Sequence, residues 1–202
     1  MASAFQLSLF GHEAPAFDGE LRALERTWLA HGAWFDVVPG WAKGAATLFE
    51  TLRTGVRWRS ERREMYERMV DVPRLYALLP EDGAGHPVLD AMRSALSRRY
   101  GEDFTRTSLA YYRDGRDSVA WHGDYVARNM EQALAATVSL GGPRRFLLRP
   151  KGGGKSLALS LGSGDLLVMG GTIQRTWDHA VPKVKHAAPR IAVMFRPVWN
   201  DE

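Results

Sequence analysis

The chain has 202 residues, 45% hydrophobic and 25% charged, the balance of one globular domain with a substantial core. It contains no cysteine, which excludes disulfides, cysteine-bound zinc and thiol chemistry. The 27 Lys and Arg against 23 Asp and Glu leave a net +4, compatible with a polyanionic partner but too small to require one.

No apolar run approaches the ~18 residues of a membrane helix. Met1 to Phe10 lacks the basic and long apolar regions of a secretory leader, so a cytoplasmic protein without membrane contact is expected.

Residues 1–15 read as a flexible N-terminal arm, since Gly11, Pro15 and small residues dominate and no period emerges. Asp18 reads as the cap of a helix reaching His31, with Leu21, Leu24, Trp28 and Leu29 on one face and Gly32 at its end. Trp34 to Val38 reads as a strand closed by a turn at Pro39-Gly40. Leu48, Phe49 and Leu52 mark a second helix that Gly55 stops, and Pro87 opens a third with Val88, Leu89, Met92 and Leu96 as its stripe. Between them, Arg53, Arg57, Arg59, Arg62 and Arg63 cluster around Trp58 and Tyr66. That mixture suits base stacking beside phosphate contacts, although a solvated face is the commoner explanation.

From Thr105 the texture changes to short β runs separated by glycine-rich turns. They are Thr107 to Tyr112, Ser118 to Trp121, Leu134 to Leu140, Arg145 to Leu148, Ser156 to Ser160, Asp165 to Met169 and Arg190 to Phe195. Gly141-Gly142-Pro143, Gly152-Gly153-Gly154 and Gly162-Ser163-Gly164 punctuate them. Runs this short and regular indicate a sandwich or barrel, and a double-sheet jelly roll encloses a small-molecule site naturally. The expected architecture is α+β: a jelly-roll core, residues 106–202, with N-terminal helices packed on it from 16–105, all in one domain.

The chemistry concentrates in Trp121-His122-Gly123-Asp124, His179, Arg190 and Arg196. Residues two apart on a strand share a face, so His122 and Asp124 can reach one metal, with Gly123 leaving room on the other side. A distant His179 would complete two imidazoles and a carboxylate, a set that holds divalent iron and leaves positions open for a co-substrate and dioxygen. The triplet alone is weak evidence. A core histidine satisfied by hydrogen bonds competes for His179, while His12, His31, His86 and His186 look less suited. Arg190 and Arg196 stand at an even spacing, so one strand face carries both guanidiniums. Turned inward, they need anions, and a dicarboxylate answers both; turned outward, Ile191, Val193 and Phe195 would carry the buried face.

These segments together resemble the AlkB family of Fe(II)/2-oxoglutarate dioxygenases, a double-stranded β-helix fold acting on alkylated nucleobases. The likeness runs through Tyr112-Arg113-Asp114-Gly115-Arg116-Asp117-Ser118, Trp121-His122-Gly123-Asp124, Val138-Ser139-Leu140-Gly141 and Arg145-Phe146. It continues in Gly164-Asp165-Leu166-Leu167, His179-Ala180-Val181-Pro182-Lys183 and the segment from Arg190 to Arg196, with weaker echoes at Met65-Tyr66 and Val72-Pro73-Arg74-Leu75. The resemblance implies His122, Asp124 and His179 as iron ligands, Arg190 and Tyr112 at the distal carboxylate of 2-oxoglutarate, and Arg196 near its other carboxylate.

It also implies a nucleotide lid within 16–105 and oxidative dealkylation that converts 2-oxoglutarate and dioxygen to succinate and carbon dioxide. The hydroxylated alkyl group would then leave as an aldehyde. Alkylated DNA is the expected partner of a monomer with no obligate protein partner. Tyr66, Arg63, Arg74, Trp121 and Tyr125 are the candidate nucleic-acid contacts, with Trp58 a further possible wall. RNA, protein or a small metabolite as substrate, or a silent binding module, are the alternatives.

Three departures stand out. Ala110 and Ala192 occupy places where the family usually has asparagines, and Tyr125-Val126-Ala127-Arg128 replaces its usual acidic run. Each missing amide removes about 1 kcal/mol of neutral hydrogen bonding to the co-substrate.

Overall fold

The structure, a computed structural model, describes residues 13–65, 68–81, 86–124, 130 and 132–197, and for residues 61–71 the backbone alone. The strands are β1 (Ala16–Phe17), β2 (Glu25–Trp28), β3 (Ala33–Val38), β4 (Ala42–Lys43), β5 (Arg59–Met65), β6 (Arg68–Leu78) and β7 (Arg106–Tyr112). They continue as β8 (Val119–His122), β9 (Ala135–Gly141), β10 (Arg144–Pro150), β11 (Leu157–Leu161), β12 (Leu166–Gly171), β13 (Trp177–Val181) and β14 (Arg190–Arg196). Helices α1 (Ala45–Gly55) and α2 (Pro87–Tyr100) lie in the first half, and a single turn, α3 (Ile173–Thr176), precedes β13.

An eight-stranded sheet runs β2-β3-β12-β9-β14-β7-β6-β5, and a four-stranded sheet runs β11-β10-β13-β8. Their pairings are antiparallel, and β1 and β4 form a separate two-stranded piece. This is a mixed α+β fold with a jelly-roll core, as the glycine-punctuated runs indicate.

The core has two layers because β14 and its neighbours are buried on both faces. Ala33, Phe35, Ala110, Tyr112, Phe146, Leu148, Val181 and Ala192 pack between the sheets. On the outer face of the large sheet, Leu109, Val138, Leu140, Ile191, Val193 and Phe195 meet Leu48, Phe49 and Leu52 of α1 and Leu89, Met92 and Leu96 of α2. Alternation along β14 thus buries both sets of side chains. The outward-facing alternative for its arginines is not what the chain adopts: Arg190 is 1% exposed.

Three sequence expectations give way. The helix from Asp18 to His31 does not form. Both carboxylate oxygens of Asp18 accept backbone N–H groups, from Glu20 and Arg22, which builds a turn. Leu21 then takes a positive φ, and Glu25–Trp28 pairs with β3. The apolar spacing was misleading because Trp28 is 67% exposed, so no single buried face exists. Among the described residues, 16–105 also hold six strands besides α1 and α2; β5 at the sheet edge and β6 beside it are charge-rich and lack the alternation that marks a half-buried strand. Strand β13 lies in a stretch the sequence left without a β run.

Other boundaries follow local chemistry. At α2, Pro87 stands at the first turn, His86 Nδ1 accepts Val88 N–H, and Gly101 ends the helix at φ 67°. Trp58 packs on Tyr111, with ring centroids 5.2 Å apart, and donates to Arg53 O, so its ring is held against the outer layer. Most of the expected N-terminal arm lies outside the described residues. No helix among the described residues is long and apolar enough to cross a membrane.

Candidate metal and co-substrate site

Strands β8 and β13 are neighbours, and their register sets His122 directly against His179. The two rings lie 4.2 Å apart between centroids. Between this pair and Val119–Val181 the register shifts, so β8 carries one residue more than β13. A bulge of this kind re-aims a side chain. Here the bulged segment's Ala120 carbonyl lies 2.8 Å from His122 Nδ1. In the tautomer protonated on Nδ1, Nε2 bears the lone pair a metal requires.

Asp124 follows β8 immediately, and its backbone N–H donates to Gln174 Oε1 at 3.0 Å. Gln174 sits in α3, 1% exposed, and its own carbonyl accepts Lys151 Nζ at 2.7 Å. A Cβ on Gly123 would stand 2.6 Å from that carbonyl, so the His-Gly-Asp segment lies flush against α3 only because the middle residue is glycine. One ligand-type atom from each of His122, Asp124 and His179 falls within 4.8 Å of the others.

His179 is stacked on Phe146, at 5.5 Å and 16° between planes. Burial pushes its pKa well below the usual histidine value, and the charges of His122, Arg196, Arg74 and Lys151 push the same way. The ring is therefore neutral near pH 7, the form that binds metals. Two imidazoles and one carboxylate are the donor set for Fe(II) with open positions.

Arg190 opposes Tyr112 of β7 on one side and Gly141 of β9 on the other. Its Nε donates to Ser139 Oγ at 2.8 Å, and its guanidinium carbon lies 5.3 Å from the Tyr112 ring centroid. Nη1 is buried with no hydrogen-bond partner. Burial lowers the Arg190 pKa, and Arg144 adds to that. A buried guanidinium with an unanswered N–H fits an anionic ligand, which would answer it and offset the hydration lost on burial. The carboxylate of 2-oxoglutarate has that chemistry. Arg196, on the same strand face, pairs with Asp124 at 3.4 Å. One end of β14 thus meets Asp124 through Arg196, while the other end packs on Tyr112 and Ser139 through Arg190.

The remaining sequence candidates are scattered. Trp121, next to His122, points to the opposite strand face beneath Arg149 at 4.3 Å, and Arg149 pairs with Asp178. Arg74 is half-buried on β6, close enough for its charge to depress His179, and its Nε is buried without a partner. Tyr66, Tyr125 and the Arg63 side chain lie outside the described residues, as does His12. His31 and His186 are exposed, and His86 caps α2.

Sequence reasoning missed Ser139, Gln174, Lys151 and Phe146. Ser139 sits in a resemblance motif and could have been found there; Gln174 carried no signal, because only the fold brings α3 beside Asp124.

A family model described as the 2OG-Fe(II) oxygenase superfamily matches residues 49–196. Among curated proteins, alpha-ketoglutarate-dependent dioxygenase alkB homolog 3 of Bos taurus is 30% identical over 79% of this chain and 63% of its own length. The Homo sapiens alkB homolog 3 is 32% identical over 57% and 44%, and the Homo sapiens DNA oxidative demethylase ALKBH2 is 32% identical over 55% and 46%. The chain spans less than two thirds of the length of each of these relatives. Among solved structures, that of OsALKBH1 has a TM-score of 0.61 at 15% identity, covering 86% of this chain and 100% of that one. A prolyl hydroxylase from Trichoplax adhaerens gives 0.58 at 14%, covering 80% and 82%; both likenesses bear on the fold alone. Fe(II) and 2-oxoglutarate are the cofactors that such a match implies. The chain belongs to the 2OG-Fe(II) oxygenase superfamily, and its similar relatives are of the AlkB type.

Proposed function

We propose that this protein is an iron- and 2-oxoglutarate-dependent dioxygenase that removes alkyl groups from nucleobase nitrogens, acting on alkylated DNA. One observation carries the reading. The donors of His122, Asp124 and His179 converge within 4.8 Å, while buried Arg190 keeps a partnerless N–H beside Tyr112. A metal seat and an anion seat thus lie in one jelly roll. The names of the relatives, alkB homolog 3 and DNA oxidative demethylase, support the choice of nucleic acid.

With iron, 2-oxoglutarate and dioxygen bound, the cofactors supply the oxidation of an N-linked alkyl carbon, after which aldehyde and base separate. His122, Asp124 and His179 would hold the metal. Arg190, with Ser139 orienting its fork, and Tyr112 would hold the distal carboxylate, and Arg196 would meet the carboxylate beside the keto group. Phe146 keeps the His179 ring in a dry, fixed orientation. The base must enter from a single strand or be flipped out of a duplex. In this reading Arg74, whose charge reaches His179, would meet a phosphate, and Trp121, Tyr66, Arg63 and Tyr125 are the further candidate nucleic-acid contacts of a monomeric enzyme.

The test is a panel of N-alkylated DNA and RNA oligonucleotides, free nucleosides and an alkylated peptide, scored for aldehyde and succinate together. Coupled release with DNA is expected, and release confined to another arm would move the substrate assignment there. Absence of succinate in all arms, with iron present, would leave a silent binding module. Turnover at wild-type rate in His122→Ala or Asp124→Ala would overturn the metal site itself.

A further inference from the structure

The β7–β8 turn and the segment leaving β13 are drawn together by one side chain that the site described above does not use. Arg144, the first residue of β10, is 3% exposed and points between the sheets. Its Nη1 donates to Asp114 O at 3.1 Å, and Nη2 donates to Asp117 O and Pro182 O, both at 2.8 Å. Its guanidinium carbon stands 5.4 Å from the Tyr112 ring centroid.

Those three carbonyls lie at telling places in the chain. Asp114 and Asp117 belong to the turn between Tyr112 and β8, the strand that ends in His122. Pro182 directly follows β13, the strand that carries His179. The same two segments meet again where Val184 N–H donates to Gly115 O at 2.8 Å. The turn is already braced internally, since Arg113 holds the Asp117 carboxylate through its backbone N–H, Nε and Nη2. Arg144 therefore fastens a preformed turn and does not have to build it.

We propose that Arg144 is a positioning residue of the metal centre: its guanidinium fixes β8 against β13 and so sets the spacing of His122 and His179. The need for such a fastening follows from the ladder itself. The bulge removes regular pairing between the His122–His179 and Val119–Val181 positions, so backbone bonds alone hold this register weakly. A planar fork meets three fixed carbonyls from two segments at once, which a point-charge ammonium cannot reproduce.

The proposal rests on the metal reading above, and the test separates the two. Wild type, Arg144→Lys and Arg144→Met are titrated with Co(II) without co-substrate, following its visible absorption, well below each apo melting midpoint. Outer-shell partners of metal ligands are worth about 10- to 100-fold in metal affinity, so Arg144→Met should weaken Co(II) by that factor. Arg144→Lys, which keeps the charge but not the fork, should weaken it to an intermediate degree and shift the absorption bands.

Should Arg144→Met fail to fold, the lysine variant decides. Wild-type affinity and spectrum in a folded Arg144→Lys would overturn the proposal, even with a lowered melting midpoint, because a purely structural brace leaves the folded site unchanged. Wild type that binds no Co(II) would sink the metal reading and this proposal together; tight wild-type binding with equally tight variants sinks the proposal alone.

Discussion

Ala110 and Ala192 face each other across the β7–β14 ladder, 1% and 3% exposed, in the apolar layer between the sheets. The resemblance to the AlkB family implies an asparagine at each place. The two departures are therefore one local change: a pair of amides replaced by a pair of methyl groups on the face that carries Tyr112, Arg190 and Arg196. The two arginines of that face, Arg190 and Arg196, are retained. Restoring one amide in Ala110→Asn or Ala192→Asn should tighten 2-oxoglutarate by about fivefold, the effect of one neutral hydrogen bond. Because the positions are direct neighbours, the double variant should deviate from the product of the singles. Co-substrate KM for all four proteins checks this, and strict additivity would show that the two side chains do not share the site.

Gly123 is held for space, not for backbone freedom. In Gly123→Ala the new methyl would meet the Gln174 carbonyl at 2.6 Å and Lys151 Nζ at 3.0 Å. Lys151 can move, but the carbonyl is backbone of α3 and cannot. The His-Gly-Asp segment must lift, costing about 1–3 kcal/mol of stability and breaking the Asp124 N–H bond to Gln174. Metal affinity should fall together with the melting midpoint. A variant with a lower midpoint and wild-type metal affinity would show that Asp124 is anchored elsewhere.

The pH dependence of the apo protein follows from His179. Its folded pKa lies well below the 6.5 of an exposed imidazole, chiefly through burial. Above pH 6.5 the ring is neutral whether the chain is folded or not, so it contributes no pH dependence there. Below that, the unfolded chain takes up a proton that the folded ring refuses, and stability falls as pH falls, by up to about 1.4 kcal/mol per unit from this group. Chemical denaturation of wild type and His179→Phe at pH 7.5 and 5.5 reads the effect. The loss should be larger in wild type; equal losses would show that another group dominates.

What the sequence made legible depended on how local the signal was. Strands β7, β9 and β14 showed as short apolar runs, and Pro87 marked the start of α2 through its own backbone preference. The even spacing of Arg190 and Arg196 placed both on one face, as the Tyr112 and Asp124 contacts bear out. Non-local organisation was harder. Trp28 looked like part of a helical stripe because spacing cannot reveal that its strand pairs with β3 and leaves the ring in solvent. Gln174 acts only on Asp124, 50 residues away, so no window of sequence could join the two, while Ser139 lay in a resemblance motif but its bond to Arg190 shows only in the fold.

Arg190 should cost the apo protein stability that its ligand recovers. Its guanidinium is 1% exposed, bonded to Ser139 through Nε, and left with a buried, partnerless Nη1. Replacing a buried charge of this kind by an apolar side chain of similar length is often neutral or stabilising by 1–4 kcal/mol. Arg190→Met should therefore melt at or above the wild-type midpoint without ligand. With Co(II) and 2-oxoglutarate at about 100 times the dissociation constant, wild type should gain about 2.7 kcal/mol and the variant far less. The two measurements move in opposite directions only if the side chain serves the anion and not the fold. An apo midpoint well below wild type, with the ligand-induced gain intact, would place the distal carboxylate on a different cation.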